Sequence, residues 1–443
     1  MSDVIKIRIP WWKRMLLEPT VMLDNLVLSL SDSLDLIHPL AVGHQQRVAY
    51  FALRIAKAMG HHPAKQADLM YASALHDIGL LSVEEKIQSM TMESKDEGRH
   101  AGVGADLLQR FSSFDKASQI VRIHHRSWSD EPGQNETDDI RILANMLYLA
   151  DHVDRAVNRG TGILGQAKAV VEGVSQLAGK EFSPDIVQCF RELTAEESFW
   201  LDFASPRIYP ILSGMGQWPR VELDLHAMEE IAKIFCRIVD FRSRFTSAHT
   251  GGVAAVAGEL AQRMCFSGKA CRQMLVAGYL HDLGKVAVPN AILNKPGKLD
   301  PDEFDVIRAH TYHTYHILST IGGFEEIAIW AAFHHERLDG KGYPFHVKGE
   351  DIPLGSRIMC VADVFTAVTE NRPYRKGTGR NETLPILQNL ARSGSLDDNV
   401  VGVMTENYDE IDGTRSDAQE ISASEYLDFV RQKTGAGRSL SRI

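Results

Sequence analysis

Leu280-His281-Asp282-Leu283-Gly284-Lys285 decides the reading of this chain, because further metal-ligand residues follow it at helix-length intervals. They are His310, the run His334-His335-Glu336-Arg337-Leu338-Asp339-Gly340-Lys341-Gly342-Tyr343-Pro344, and Asp363, with His249 upstream. An aspartate offers two oxygens and can bridge two cations, while neutral imidazoles supply terminal nitrogens around each. The seven candidate ligands His249, His281, Asp282, His310, His334, His335 and Asp363 exceed the four of a closed structural zinc site, and none is a cysteine. The pattern points to a catalytic centre with two metals, of the kind that hydrolyses phosphate esters.

Set against itself, the chain shows this constellation twice. His44 precedes His76-Asp77 by 32 residues, as His249 precedes His281-Asp282 by 32; His100 precedes His124-His125 by 24, as His310 precedes His334-His335 by 24. The offsets are 205 for the first three residues, 210 for the next three, and 212 for Asp151 against Asp363. Chance rarely preserves such an order, so a tandem duplication is the economical reading. The first copy then has its own candidate metal ligands, His44, His76, Asp77, His100, His124, His125 and Asp151. The copies part where a phosphate would be met. Lys285, read as lying one helical turn after His281 and on the same face, becomes Leu80. The glycine-rich loop becomes Ser127-Trp128-Ser129-Asp130-Glu131-Pro132-Gly133, and Asn371-Arg372-Pro373-Tyr374-Arg375 becomes Asn158-Arg159-Gly160-Thr161-Gly162. The first copy reads as degenerate: able to hold metal without turning over substrate. The alternative is that its polar residues merely satisfy one another in a helical core.

The ordered stretches 280–285, 294–299, 334–344, 352–358 and 371–375 resemble the HD-GYP phosphodiesterases of bacterial cyclic-dinucleotide signalling, part of the HD superfamily of helical metal-dependent phosphohydrolases. The resemblance implies that His249, His281, Asp282 and Asp363 hold one metal while Asp282, His310, His334 and His335 hold the other. It favours iron or manganese over zinc, and it places Tyr343, Arg372 and Arg375 against the ligand. Relatives with three metals carry a Glu four residues before the first His; that position is Phe245 here and Leu40 in the first copy, so two divalent transition metals are expected in the second copy. Thr366 stands where many relatives have Asp.

A water shared by two cations loses a proton near neutral pH and attacks phosphorus in line, so no side-chain nucleophile is required. Asp282, as the bridge, and Lys285, as a point charge against the scissile phosphate, are the catalytic residues. Tyr343 offers an aromatic face to a purine, Arg372 and Arg375 offer forks to phosphate or a guanine edge, and Gly340 and Gly342 let their loop pass close to the ligand or take positive φ. His313 and His316 turn off the face of His310 by about 60° and about 120°, and read as core or surface residues. The leading function is hydrolysis of cyclic di-GMP or 3',3'-cyclic GMP-AMP to linear dinucleotide or mononucleotides. A cyclic-dinucleotide receptor with weak catalysis and an HD-type nucleotidase are the competitors.

At 443 residues, 44% apolar and 24% charged, the chain is of ordinary globular composition and long enough for two or three domains. A net charge of -10 disfavours a nucleic-acid polymer as partner. Five cysteines without CxxC spacing fit reduced thiols in the cytoplasm, and no apolar run approaches the length of a membrane span. The spacing predicts an all-α chain built as a tandem duplication with a short N-terminal strand at 4–9, and the resemblance implies that the two copies are HD-type domains. The expected order is an N-terminal segment 1–22, a degenerate HD domain 23–207, a linker 208–220, a catalytic HD-GYP domain 221–430 and a flexible tail 431–443. Residues 221–246 read as one long helix, most simply the first of the second domain, with a linker or a dimer face as the alternatives; a homodimer or a signalling-protein partner stays open.

Overall fold

Apolar residues recurring at spacings of three and four take the chain through helix after helix. The computed structural model describes residues 21–36, 41–80, 85, 88–89, 97–133, 136–216, 219, 221–241, 248–295, 297–371 and 376–434. The stretch 4–9 and the residues Leu40, Phe245, Arg372 and Arg375 lie outside the described residues.

Two bundles repeat each other. In the first, α1 (Leu23–Asp35) leads into α2 (His44–Ala58), α3 (Pro63–Leu75), α4 (Glu97–Leu108), α5 (Asp115–Arg122) and α6 (Asp138–Ala156). Four more helices follow: α7 (Ile163–Gln176), α8 (Pro184–Leu193), α9 (Glu197–Phe203) and α10 (Ile208–Met215). In the second, α11 (Leu225–Phe241) leads into α12 (His249–Arg263), α13 (Gly268–Leu280), α14 (Pro301–Ser319), α15 (Glu325–Ala332) and α16 (Leu354–Thr369). The chain then closes with α17 (Arg380–Arg392), α18 (Asp398–Glu406) and α19 (Tyr408–Thr434). Caps set several starts: Ser267 accepts from the Ala270 amide, and Asp300 and Glu303 form a reciprocal capping box around Pro301 at the start of α14.

Three sequence expectations change. The stretch after Val221 is a short strand, Glu222–Leu223, followed by a shorter helix; the strand pairs antiparallel with Val21–Met22, so the sheet joins the starts of the two halves. Residues given to the linker form α10, which packs on α2 with Leu212 fully buried. Lys285 is not on the helix that ends at His281: α13 stops at Leu280, and Lys285 lies in the 3-10 turn Leu283–Ala287. Gly284 keeps that turn tight, because a Cβ there would collide with the His310 backbone oxygen; Gly79 meets the His100 oxygen in the same way.

Helix α1 is buried on nearly all sides, with Leu23, Leu26, Val27, Leu28, Leu30 and Leu34 among its buried residues. It packs against α2 and α3 of its own half, and also against α14 and the Leu283–Ala287 turn of the other. Ser29, Ser31 and Ser33 are buried among these leucines and valines, so α1 is core to both halves at once.

Candidate active site

Each His-Asp pair sits where a helix ends, His76 after α3 and His281 after α13, so the chain turns and both side chains point into their bundle. In the second domain the structure brings all seven predicted ligands together. His249 Nε2 lies 3.1 Å from Asp363 Oδ1, and His310 Nε2 lies 3.3 Å from His334 Nε2. Asp282 turns Oδ2 to His281 at 3.3 Å and Oδ1 to His310 at 3.4 Å and His334 at 3.9 Å, so its two oxygens face two groups of imidazoles. One group gathers His249, His281 and Asp363; the other gathers His310, His334 and His335.

The hydrogen bonds fix which ring nitrogen faces inward. The Nδ1 atoms of His281, His310 and His334 donate to the carbonyls of Gly278, Ile307 and Ala331, three residues back, at 2.7, 2.6 and 2.6 Å. Their Nε2 lone pairs are left aimed at the centre. Two such lone pairs 3.3 Å apart repel each other, but ligands about 2.1 Å from a shared cation at roughly a right angle stand about 3 Å apart. His281 Nε2 and Asp282 Oδ1 are buried without a hydrogen-bond partner. The donor set therefore fits metal.

The charges agree with that fit. Burial pushes Asp282 up, yet His281 and Lys285 more than offset it and hold the carboxyl well below its usual range. Burial, reinforced by neighbouring imidazoles, keeps His334 neutral, and burial takes His335 down to about 3. Burial lowers His249 too, but Glu370 and Asp363 lift it to about 10, a proton that a metal would replace.

The first domain gathers its seven residues in the same way. His44 Nε2 lies 3.3 Å from His76 Nε2, 3.3 Å from Asp77 Oδ2 and 3.5 Å from Asp151 Oδ1. His100 and His125 meet at 3.1 Å, and the Nδ1 atoms of His76 and His124 donate to the carbonyls of Ser73 and Val121. A cluster that merely satisfied itself would not leave His124 Nε2 buried and unpartnered.

What surrounds the two clusters differs. Lys285 Nζ reaches Asp282 Oδ2 at 2.5 Å, and Leu80 is buried in its place. Tyr343 packs its ring 4.9 Å from that of His335, at the edge of a cavity of about 380 Å³ lined by Phe304, Arg308, Arg337, Lys341, Cys360 and Val364 among others. Gly340 takes φ +75, and a Cβ on Gly342 would collide with the backbone of 335–337, so both glycines are needed to lay this loop down. Buried Glu336 pins the loop by accepting from the Phe345 amide at 2.7 Å. In the first domain, offset 212 puts Tyr148 and His152 where Cys360 and Val364 line the cavity. There Phe182 packs on both, at 5.1 and 5.4 Å, and Tyr148 packs on His125. The Ser127–Gly133 loop is tied down through Ser127 Oγ to Glu181 Oε2 at 2.5 Å. Buried Arg155 adds an ion pair to Asp151 at 2.8 Å, where the second domain has Ala367.

Of the other histidines, His316 lies against Tyr312 with rings 4.1 Å apart, and His313 is half-buried. Sequence reasoning missed Phe304, Arg308, Glu336 and Glu370. The first two were legible as positions i–6 and i–2 before His310 on one helix, but a lone arginine or phenylalanine there carries no signature.

HD-domain profiles match residues 42–156 and 233–400, one on each cluster. The chain belongs to the HD-domain superfamily. Its second domain is of the HD-GYP type. Similar proteins include 3'3'-cGAMP-specific phosphodiesterase 1 of Vibrio cholerae, 29% identical over 88% of this chain and 93% of that one. A cyclic di-GMP phosphodiesterase response regulator of Xanthomonas campestris is 38% identical over 40% of this chain and 47% of its own. The fold matches a crystal structure of a cyclic GMP-AMP phosphodiesterase from V. cholerae with a TM-score of 0.63 at 23% identity, covering 88% of this chain and 98% of that chain. No helix among the described residues is long and apolar enough to cross a membrane.

Proposed function

We propose that the second HD domain hydrolyses a bacterial 3',5'-cyclic dinucleotide, cyclic di-GMP or 3',3'-cyclic GMP-AMP, to the linear dinucleotide or to mononucleotides. The observation that carries this reading is the convergence of seven ligands and Lys285 beside a cavity with an aromatic rim, within the size range of small-ligand clefts. The similar proteins, named as phosphodiesterases of both substrates, support it.

Two divalent transition metals, iron or manganese, would be held by His249, His281, Asp282 and Asp363 on one side and by Asp282, His310, His334 and His335 on the other. When bound they supply an activated water and steady the charge on the phosphoryl oxygens. The chain's own groups do the rest. Asp282 spans the two ligand groups, and Lys285, already on the Asp282 carboxylate, meets a phosphate oxygen as a point charge. Tyr343 and Phe304 receive a base, Arg308 on the cavity wall offers a fork to a phosphate or base edge, and the family resemblance gives Arg372 and Arg375 the same role. The first domain, with a candidate metal centre of its own, is a scaffold or regulator. A first domain running from 23 through α10 and a second from 221 to 430 are part of this proposal, as is a cytoplasmic setting, which the five unpaired cysteines support.

The test is product analysis with protein purified without air and loaded with each metal, given cyclic di-GMP, 3',3'-cyclic GMP-AMP and nucleoside monophosphates in turn. Turnover of a cyclic dinucleotide is the expected result. Binding without turnover would make the protein a receptor, and turnover of monophosphates alone would make it a nucleotidase.

A further inference from the structure

Glu370 is buried against the second centre and belongs to none of the motifs. Its Oε2 lies 3.0 Å from His249 Nδ1, on the far side of the ring from Asp363. The first domain meets the same need differently. His44 Nδ1 faces Asp154 Oδ2 at 2.6 Å, and Asp154 in turn is paired with Arg47 at 2.5 Å, all of it buried or nearly so. Carried across by the offsets of 205 and 212, Arg47 corresponds to Gly252 and Asp154 to Thr366. Both members of that ion pair are gone together, and the Thr366 hydroxyl is buried without a hydrogen-bond partner.

The vacated space is filled from elsewhere. With no side chain on Gly252, the C-terminal helix α19 comes in against α12; a Cβ there would stand 2.9 Å from Gln419 Cγ. Gln419 Nε2 donates to Glu370 Oε2 at 3.3 Å, and Arg415, paired with Asp412, holds Gln419. A carboxylate on the outer nitrogen of a ligating histidine fixes the ring's orientation and raises the basicity of the inner nitrogen. The glutamate one turn beyond Thr366 supplies that carboxylate here.

We propose that Glu370 is the positioning residue for His249, and that Gln419 makes α19, a helix beyond the matched HD profile, a working part of the second metal centre. The inference rests on reading that centre as a metal site. It has a specific signature: the carboxylate should be movable to where the first domain keeps it.

The test measures affinity of the full-length protein for Mn²⁺ by chelator competition, and the absorption spectrum with Co²⁺, taking the second centre as the difference from an Asp282→Ala variant. Glu370→Gln should weaken metal binding about 10- to 100-fold and alter the cobalt spectrum. Adding Thr366→Asp should recover most of the loss, and Gln419→Ala alone should give a smaller loss of about tenfold. Unchanged affinity and spectrum in Glu370→Gln would overturn the proposal. So would an equal loss of metal-free thermal stability with no recovery in the double variant, the mark of a merely structural role. Metal uptake by the unsubstituted protein checks the parent reading separately, and its absence at the second centre would overturn both.

Discussion

The two halves of this chain gather matching sets of seven candidate ligands in unlike surroundings. Around Asp282 there is a lysine and a cavity with Tyr343 at its rim; around Asp77 there is buried Leu80 and a plug of Tyr148, His152 and Phe182. The cation changes partner as well, from Lys285 on the bridging aspartate to Arg155 on the terminal one, Asp151. The difference teaches that a set of candidate ligands can be kept while the groups around it change. Losing a bridging carboxylate leaves buried imidazoles and a vacant centre, whereas filling the approach costs the fold nothing and even adds buried aromatic area.

The strongest way to break the comparison is to remove each bridge in turn. Asp282→Ala should empty both positions of the second centre and take hydrolysis to background, with elemental analysis of anaerobically purified protein showing the loss of two metals. Retention of turnover would remove the second domain from the chemistry. Next in size is Lys285→Leu, which gives the second domain the residue of the first. A charge aimed at the reacting phosphate is worth about 10²- to 10³-fold in kcat. Metal content should stay unchanged, and a loss of metal instead would reassign Lys285 to holding Asp282. Smaller again is Tyr343→Leu. Losing one aromatic face of about 1 kcal/mol should raise KM about fivefold and leave kcat nearly alone. A fall in kcat with constant KM would mean the ring orders His335 rather than the base.

Much of this was legible because metal chemistry restricts residue types and helices restrict spacing. The intervals of 32 and 24 between His44, His76, His100 and His124 fixed both centres before any coordinates, since helix pairs of constant length must return each ligand to one point. Lys285 was found for a partly wrong reason, because helix periodicity cannot show that α13 ends at Leu280 and that a 3-10 turn carries the lysine back to Asp282. Helix α19 is not legible from spacing. Its polar residues show no stripe, and what holds it is the pair of glycines on α12 and ion pairs such as Arg237 with Glu425, which sequence spacing does not announce. Glu370 was invisible for the same reason: its meaning lies in Gly252, Thr366 and Gln419, three residues far apart along the chain. The role of α1 between the halves depends on which neighbours bury it, and its run of leucines, serines and aspartates does not name them.

The smallest expected effect comes from emptying the first centre, and it decides what that domain is for. His76→Ala with Asp77→Ala removes ligands but touches nothing in the second cavity, so any change in turnover has to travel. The described route is α1, which packs against α2 and α3, the helices leading out of His44 and into His76, and against the Leu283–Ala287 turn that holds Lys285. Coupling through packed elements of this kind is worth about 0.5–2 kcal/mol, which is about twofold to thirtyfold in rate. A loss of a few-fold is expected, with second-centre metal intact. Emptying the first centre also removes a ligand that binds only the folded chain, so stability should fall and rates must be compared at equal folded fraction. If the variant is folded, keeps its second-centre metal and is still as inactive as Asp282→Ala, the first domain is no scaffold. The two centres would then share the reaction, or the second would work only when the first is full.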